Sequence, residues 1–237
     1  PGLYFYCFQI GGRYAGCGKN RSLEFAEQAI NYYQILVYDE GFSVPDWFKG
    51  GIMYQIFPDR FYRSGETPVA EGKWLRKNWD EKPEYRPNDQ GKVLNNDFFG
   101  GNFRGIAEKL NYLKSLNVTV LYLNPVFEAY SNHRYDTGDY KKIDPLLGTE
   151  EDFAILVEEC AKRGIKIMLD GVFNHTGDDS RYFNKYGRYD ELGAYQSKDS
   201  KYYAWYTFSQ YPNKYDSRWG IDCLPAVNEN CNSYVEF

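Results

Sequence analysis

The chain contains two histidine residues, and each lies in a short polar stretch that directly follows an apolar run. The first stretch contains His133 and Tyr135, and the second contains Asp170, Asn174 and His175. Imidazole, phenol, amide and carboxylate groups brought together can bind a polyhydroxy ligand, hold a cation or transfer a proton. A histidine that serves only packing is the common alternative, but the positions after apolar runs favour a functional role.

The apolar runs predict parallel strands that would position these side chains. Residues 118–126 and residues 165–172 are nearly continuous apolar runs, which we interpret as strands buried on both faces. A further short strand is predicted over residues 52–57. In a parallel α/β fold functional side chains gather where strands end and loops begin, so both polar stretches lie at candidate functional positions.

Helices are predicted between these strands. Residues 103–116 place Ile106 and Leu110 at helical spacing. Thr149 precedes three acidic residues that favour a helix N-terminus, and Gly164 is the candidate C-terminal cap. The alternation of strands and helices predicts a parallel α/β fold, and the pattern alone is compatible with both an open sheet and a barrel.

The flanking segments have a different pattern. Residues 1–40 predict strands and turns, with a strand or a short helix over residues 23–29, and residues 39–45 predict a linker. Residues 174–230 are irregular and rich in aromatic side chains, which predicts a small subdomain, and the final residues resemble the start of a helix.

Composition limits the classes of function. Aromatic residues make up 19% of the chain, and 24 residues are tyrosines, whose hydroxyl groups need water or a polar partner. A cleft lined by tyrosine and tryptophan suits sugars, although an obligate protein interface has a similar bias. The net charge of -5 argues against a nucleic-acid partner, and the lack of a long apolar run argues against a transmembrane helix.

The chain has five cysteines, which are Cys7, Cys17, Cys160, Cys223 and Cys231. Their odd number and the lack of a C-x-x-C pair favour reduced thiols and lean towards a cytoplasmic location, while a Cys7–Cys17 or Cys223–Cys231 disulfide stays open. No secretory signal sequence is evident, and the location of the protein is left unassigned. Both ends look cut, so we expect a fragment of a longer protein.

Five stretches resemble, in the same order, the α-amylase family of glycoside hydrolases (family 13). They are residues 51–61, 98–106, 132–145, 170–175 and 219–228. The fourth matches the D-x-x-x-N-H motif at the end of the third barrel strand, with Asp170, Asn174 and His175 as its fixed positions. The third is similar to the neopullulanase, cyclomaltodextrinase and pullulanase branch. One such match is weak evidence, but five ordered matches make coincidence improbable.

The resemblance implies an α/β fold, a partial (β/α)₈ TIM barrel that contains strands one to three. A domain B would be inserted in this barrel, and the end of an N-terminal β-sandwich would precede it. The resemblance implies residues 1–45 as the end of the β-rich domain and its linker, and residues 46–175 as three βα units of the catalytic barrel. Residues 176–230 would be domain B and residues 231–237 the start of the next barrel helix. Since three parallel strands cannot close a barrel, we expect the isolated chain to be unstable or to associate.

The resemblance also implies a function for the parent protein, retaining hydrolysis of α-1,4 and α-1,6 glucosidic bonds in starch, maltodextrin, cyclodextrin or pullulan. The nucleophile, the acid/base and the stabilising carboxylate of such an enzyme would lie beyond Phe237, so no catalytic residue is assigned here and the chain alone is expected to be inactive. The implied partners are α-glucan oligosaccharides and a second copy of the full-length protein, without nucleic acid or membrane. Two alternatives stay open, a non-catalytic carbohydrate-binding protein of the same family and a different α/β enzyme.

Three residues receive substrate-binding roles from the resemblance. Tyr135 matches the tyrosine that stacks on the sugar ring at the cleavage subsite, and His175 matches the histidine that binds hydroxyls of that ring. Asp170 matches an acid that supports the catalytic architecture through hydrogen bonds. Asn174 matches a calcium ligand in many amylases and a structural amide in others, and the two interpretations have equal weight. Calcium is therefore the one cofactor that the resemblance implies.

The branch has a second calcium site in the loop after strand one, and the sequence departs from its pattern. Asn102 stands where the branch has an aspartate, and residues 62–66 lack the run of asparagine and aspartate. Hard cations prefer several oxygen ligands, usually with carboxylates among them. Residues 88–89 or 95–97 are candidate substitutes, and a solvated polar loop is the favoured interpretation.

Overall fold

A computed structural model describes residues 1–18, 22–28 and 31–237, which form two compact units, Pro1–Lys49 and Gly50–Phe237. The finer division of the second unit near residue 175 stays a prediction.

The first unit consists of antiparallel strands. They are β1 (Gly2–Tyr6), β2 (Phe8–Ile10), β3 (Arg13–Cys17), β4 (Leu23–Ala26) and β5 (Tyr33–Val37). β1 pairs with β5, while β3 lies between β2 and β4 in a second sheet. Gly11 and Gly12 form the predicted turn before β3, and both have positive φ, which glycine adopts without a steric penalty. Within residues 23–29, Leu23–Ala26 form a strand and residues 27–28 a bend, while Ala29 lies outside the described residues.

The second unit combines parallel strands, helices and short hairpins. Its elements are β6 (Ile52–Ile56), β7 (Trp74–Leu75), β8 (Asp97–Phe98), α1 (Phe103–Glu108), α2 (Leu110–Ser115), β9 (Val118–Leu123), β10 (Phe127–Ala129), β11 (Thr137–Ile143), α3 (Glu150–Lys162), β12 (Lys166–Leu169), β13 (Phe208–Gln210), β14 (Lys214–Tyr215) and α4 (Asn232–Val235). The helical start predicted for the last residues is confirmed by α4.

A parallel sheet of three strands lies at the centre of this unit, with β9 between β6 and β12. Val118, Leu121 and Leu123 of β9 are fully buried, as expected for a strand covered on both faces. The prediction of a buried strand over residues 165–172 is wrong in length and in burial. β12 has four residues and its Leu169 is 39% exposed, because among the described strands β12 pairs with β9 alone.

The helix predicted over residues 103–116 is divided into α1 and α2. Lys109 has φ -93° and ψ 0°, and its N–H donates to the Ile106 carbonyl at 3.0 Å, three residues back rather than four. The apolar spacing still has the predicted effect, because Ile106, Leu110 and Leu113 are all buried in the core beneath the sheet.

Both predicted ends of α3 are confirmed. The Thr149 hydroxyl accepts from the Asp152 N–H at 3.1 Å, and the Asp152 carboxylate accepts from the Thr149 N–H at 2.9 Å. This reciprocal pair satisfies two amide groups that the first helical turn leaves free. Gly164 follows the helix with φ +67°, and Leu156 and Cys160 face the core.

The aromatic segment after β12 has a core of its own, which contains Tyr182, Phe183, Tyr202, Trp205 and Tyr206. The Phe183 and Tyr206 rings lie edge to face with centroids 4.9 Å apart, a favourable geometry for aromatic pairs. Composition suggested that aromatic residues of this segment line a cleft. These five rings are instead buried and form the core of the segment.

The five cysteines are free thiols, so neither of the two disulfides left open by the sequence is formed in this structure. Across the described ranges, every helix is too short or too polar to cross a membrane.

Candidate functional site

Asn124 and Asp170 lie side by side at the carboxyl ends of β9 and β12. The Asn124 N–H donates to the Ile56 carbonyl at 2.9 Å, and the Asp170 N–H donates to the Leu123 carbonyl at 3.0 Å. Each residue thus extends the parallel ladder by one step. Because parallel strands present their carboxyl ends at the same edge, the polar groups that follow them meet there.

Tyr135 lies in the loop between β10 and β11, next to a buried ion pair. The Arg134 guanidinium donates to the Asp144 carboxylate and to the Asn132 carbonyl, both at 2.8 Å. The Arg134 side chain is 1% exposed and its backbone has φ +62°, an uncommon conformation for a residue other than glycine. These contacts fix the backbone directly before Tyr135.

The Tyr135 hydroxyl donates to Asp170 Oδ2 at 2.8 Å, which joins this loop to the end of β12. Burial, followed by the hydrogen bond to Asp170, raises the pKa of Tyr135 to about 12. Burial and Asp170 also raise the pKa of Tyr122, which lies on the neighbouring strand β9. The phenol of Tyr135 is therefore a neutral donor at physiological pH, and Asp170 is engaged as its acceptor.

His175 is buried next to Asn174, with 2.6 Å between His175 Nδ1 and Asn174 Oδ1. With its proton on Nδ1, the imidazole donates to Asn174 and keeps a lone pair on Nε2. This Nε2 atom is buried and has no hydrogen-bond partner among the described residues. Burial lowers the pKa of His175, so the ring is neutral at pH 7. The backbone of Tyr135 lies near enough to oppose this shift in part, but it makes no hydrogen bond of acceptable geometry with Nε2. A buried polar atom without a partner indicates a place for a ligand or a water molecule.

A returning segment brings Trp219 to the same place. Ala226 forms an isolated antiparallel bridge with His175, and the Val227 N–H donates to the Asn174 carbonyl at 3.0 Å. The Arg218 N–H donates to the Leu224 carbonyl at 2.9 Å, which ties the preceding turn to this segment. Trp219 itself has φ +53° and is 79% exposed. A left-handed backbone at a residue other than glycine is uncommon and often lies at a functional site, so Trp219 is a candidate for ligand contact.

These groups line one open cleft of about 400 Å³. All three predicted substrate-binding residues and Asn174 belong to it, and their roles towards a sugar stay predictions. From the sequence, Trp219 is only one residue of a family signature, because its exposure depends on contacts distant in sequence. The lining consists of Tyr135, Asp170, Gly171, Val172, Phe173, Asn174, His175, Arg218, Trp219 and Glu229.

The calcium role that the resemblance implies for Asn174 stays a prediction. The Asn174 amide oxygen already contacts His175 Nδ1, and the described part of the chain has no group of three or more histidine, cysteine, aspartate or glutamate residues arranged around a common point. Calcium prefers six to eight oxygen ligands. No step proposed below uses a metal ion.

At the predicted second calcium position, Asn102 is the N-cap of α1. Its Oδ1 accepts from the Gly105 N–H and its Nδ2 donates to the Ser64 carbonyl, both at 2.8 Å. In the neighbouring loop the Asn88 side chain accepts from two backbone N–H groups, as in a polar turn. The favoured interpretation, a solvated polar loop, agrees with residues 88–89, which are exposed. It is wrong for Asp97, which is fully buried in β8 and accepts from the Arg76 guanidinium at 3.3 Å.

Comparison with known proteins gives consistent matches. Residues 55–234 match the family described as alpha amylase, catalytic domain. Amylopullulanase of Thermoanaerobacterium saccharolyticum is 44% identical over 99% of the chain, which spans 21% of that protein. Neopullulanase 2 of Thermoactinomyces vulgaris is 36% identical over 83% of the chain, which spans 31% of it. The solved cyclic α-maltosyl-(1→6)-maltose hydrolase of Arthrobacter globiformis superposes with a TM-score of 0.69 at 33% identity, over 82% of this chain and 41% of that one.

Proposed function

The chain belongs to the α-amylase family of glycoside hydrolases, and on that premise we propose that it forms the sugar-binding part of an enzyme that hydrolyses α-glucans. The family resemblance of residues 132–145 to the neopullulanase and cyclomaltodextrinase branch agrees with relatives named amylopullulanase and neopullulanase. Those names point to pullulan and starch-like chains as the substrate class of this protein too.

The observation that carries the proposal is the pairing of a fixed aromatic ring with an unsatisfied imidazole. The hydrogen bond to Asp170 holds the Tyr135 ring in one orientation. A pyranose ring stacks its C–H face on such a ring, and its hydroxyl groups need polar partners at the edge. The free Nε2 lone pair of His175 is an acceptor for one of those hydroxyls.

Trp219 extends the same surface. Its exposed ring lies on the turn that also carries Arg218, whose guanidinium is 4.8 Å from the indole centroid. A guanidinium near an aromatic face restrains the ring by a cation–π contact. We assign Trp219 the stacking of a second sugar unit in the cleft.

The chemical step needs two carboxylates at the glycosidic bond. In retaining glycosidases these lie about 5 Å apart, one as nucleophile and one as acid/base. The cleft includes the carboxylates of Asp170 and Glu229, and Asp170 is engaged with Tyr135. We therefore assign Asp170 a positioning role, and we propose that the catalytic carboxylates belong to the parent protein outside this chain.

The same proposal covers the architecture. We assign β6, β9 and β12 as the first three strands of a (β/α)₈ barrel and residues 176–230 as its domain B. The parallel order of these strands agrees with successive barrel strands. The antiparallel strands of residues 1–45 would then be the end of an N-terminal β-sandwich.

Binding and turnover of maltotriose by the purified chain test the proposal together. We expect a saturable change in tryptophan fluorescence, lost in Trp219→Ala, and no release of reducing sugar above the buffer blank. Reproducible hydrolysis that disappears in Asp170→Asn would contradict the assignment of Asp170, and a fluorescence signal that never responds to maltotriose would contradict the sugar-binding role.

A further inference from the structure

A second and larger cavity, of about 710 Å³, lies on the other side of the loop that carries Tyr135. Its walls come from the loop around Leu94, from residues 130–136 and from the aromatic segment near Asp178 and Cys223. It shares no lining residue with the Tyr135 cleft. Its volume falls within the range typical of small-ligand sites.

Four of the charged groups in this cavity form two ion pairs. The Asp178 carboxylate accepts from the Tyr186 hydroxyl at 2.9 Å and from Lys185 Nζ at 3.3 Å. The Arg188 guanidinium donates to Asp179 at 2.6 Å. Charges paired in this way keep spare lone pairs and N–H groups, which can bind hydroxyls without requiring a charged ligand.

The cavity also offers apolar faces. The Tyr186 side chain is 59% exposed, so one face of its ring is free, and Leu94 at the rim is 44% exposed. The Arg188 guanidinium lies 4.8 Å from the centroid of Tyr130, another ring of the wall. Aromatic faces flanked by paired polar groups are what an amphipathic pyranose ring requires.

Among the remaining titratable groups of the lining, Lys92 and Asp222 form no ion pair within the described residues, and their opposite charges favour neither an anion nor a cation. Burial, and then Arg134, lower the pKa of His133 to about 4, so this imidazole is neutral at pH 7. The Asp136 carboxylate accepts from the Ser131 hydroxyl and N–H, and it lies on the same wall as Asp178 and Asp179. These carboxylates would repel an anion, while Lys185 and Arg188 already occupy the positions that a cation would take.

We propose that this cavity is a second α-glucan site, which binds a separate stretch of the same polymer or a second oligosaccharide. The class of sugar is taken from the proposed function, and the position of the site is taken from the cavity. The loop of residues 130–136 separates the two sites, with Asp136 on the wall of the cavity and the adjacent Tyr135 on the wall of the cleft.

Cys223 provides a direct measurement on the unmodified protein, because this exposed thiol lines the cavity. The chain is treated with iodoacetamide at about pH 9, since partial desolvation of the thiol by the cavity wall, and then the nearby Asp178, raise the pKa of Cys223 and the thiolate is the reactive form. Peptide mass spectrometry then gives the alkylation rate of each cysteine with and without maltotriose. At a sugar concentration ten times Kd, we expect the Cys223 rate to fall about tenfold, while Cys231, outside both sites, keeps its rate.

Two variants separate the second site from the cleft. We expect Tyr186→Ala to abolish the protection of Cys223, and Tyr135→Ala, which weakens the cleft, to leave that protection intact. Unchanged Cys223 alkylation in the wild-type chain at saturating maltotriose would overturn the second site, and so would protection that disappears in Tyr135→Ala. Tryptophan fluorescence reports the cleft in the same samples, so a failure of the second site is distinguishable from a failure of the proposed function.

Discussion

Tyr135 and Asp170 are joined by a hydrogen bond of 2.8 Å, which connects the loop after β10 to the end of β12. The two residues are 35 positions apart in sequence, yet the bond gives the tyrosine ring one orientation at the cleft. This contact brings the side chains of the two segments together in one cleft.

Tyr135→Phe removes the hydroxyl and keeps the ring. We expect the free energy of unfolding to fall by about 1 kcal/mol, the usual net value of one hydrogen bond, and the maltotriose affinity to change only a few-fold. Tyr135→Ala removes the stacking face and should weaken binding about tenfold, or about 1.4 kcal/mol. Urea unfolding and fluorescence titration measure the two effects, and equal affinities for the two variants would argue against stacking.

Trp219→Ala tests the exposed indole. Because this side chain is 79% exposed, its removal should leave the free energy of unfolding within about 0.5 kcal/mol of the wild-type value. The maltotriose affinity should nevertheless decrease about tenfold, measured by calorimetry so that the readout does not depend on the lost fluorophore. Trp79→Ala, at a tryptophan outside the cleft, is the matched control and should bind normally.

Arg134→Met tests the buried ion pair beside the stacking residue. Removing one partner leaves the Asp144 carboxylate buried without its main cation, which should cost about 3–5 kcal/mol. The double variant Arg134→Met with Asp144→Leu should recover part of that loss, because the buried carboxylate is removed and only Lys73, 3.9 Å from Asp144, loses its partner. Urea unfolding curves distinguish these cases, and a double variant that is less stable than Arg134→Met would contradict this account.

Asp179 gives a pH dependence of stability with a defined sign. Burial, and then the nearby Asp136, raise its pKa from 3.8 to about 6, so the folded chain binds a proton that the unfolded chain has released. This contribution to stability is complete below about pH 4 and is lost as the pH rises through 6, by up to about 3 kcal/mol. Asp179→Asn should remove that fall from the unfolding free energy measured between pH 4 and 7. If the unfolding free energies of the wild type and Asp179→Asn changed with pH in the same way, the raised pKa of Asp179 would be contradicted.

Local patterns allowed much of this fold to be predicted. The apolar run that became β9 and the Thr149–Asp152 cap of α3 both depend on neighbours within a few residues, so the sequence contains their causes. The placement of Asp170 and His175 after a strand likewise followed from a local motif. The edge exposure of β12 depends on strand pairing and could not be derived from its apolar composition.

Long-range contacts explain what the sequence did not reveal. Trp219 reaches the cleft because the segment after it pairs with the residues around His175. The aromatic residues Tyr182 and Trp205 are core residues because they pack against each other, with centroids 5.2 Å apart, and composition cannot distinguish that from a cleft. The second cavity combines three separate segments, two of which overlap the family-like stretches 132–145 and 219–228, but no local pattern indicates that they meet around one cavity.

The central claim is that the Tyr135 cleft of this chain binds α-glucan without cleaving it. Calorimetric titration of the purified chain with maltotriose, followed by chromatography of the same sample, tests it most directly. We predict saturable binding that His175→Ala weakens about tenfold, with maltotriose recovered intact. The account would be contradicted if the wild-type chain did not bind maltotriose, or if His175→Ala and Tyr135→Ala bound it as tightly as the wild type. Conversion of the sugar to maltose and glucose would contradict it as well.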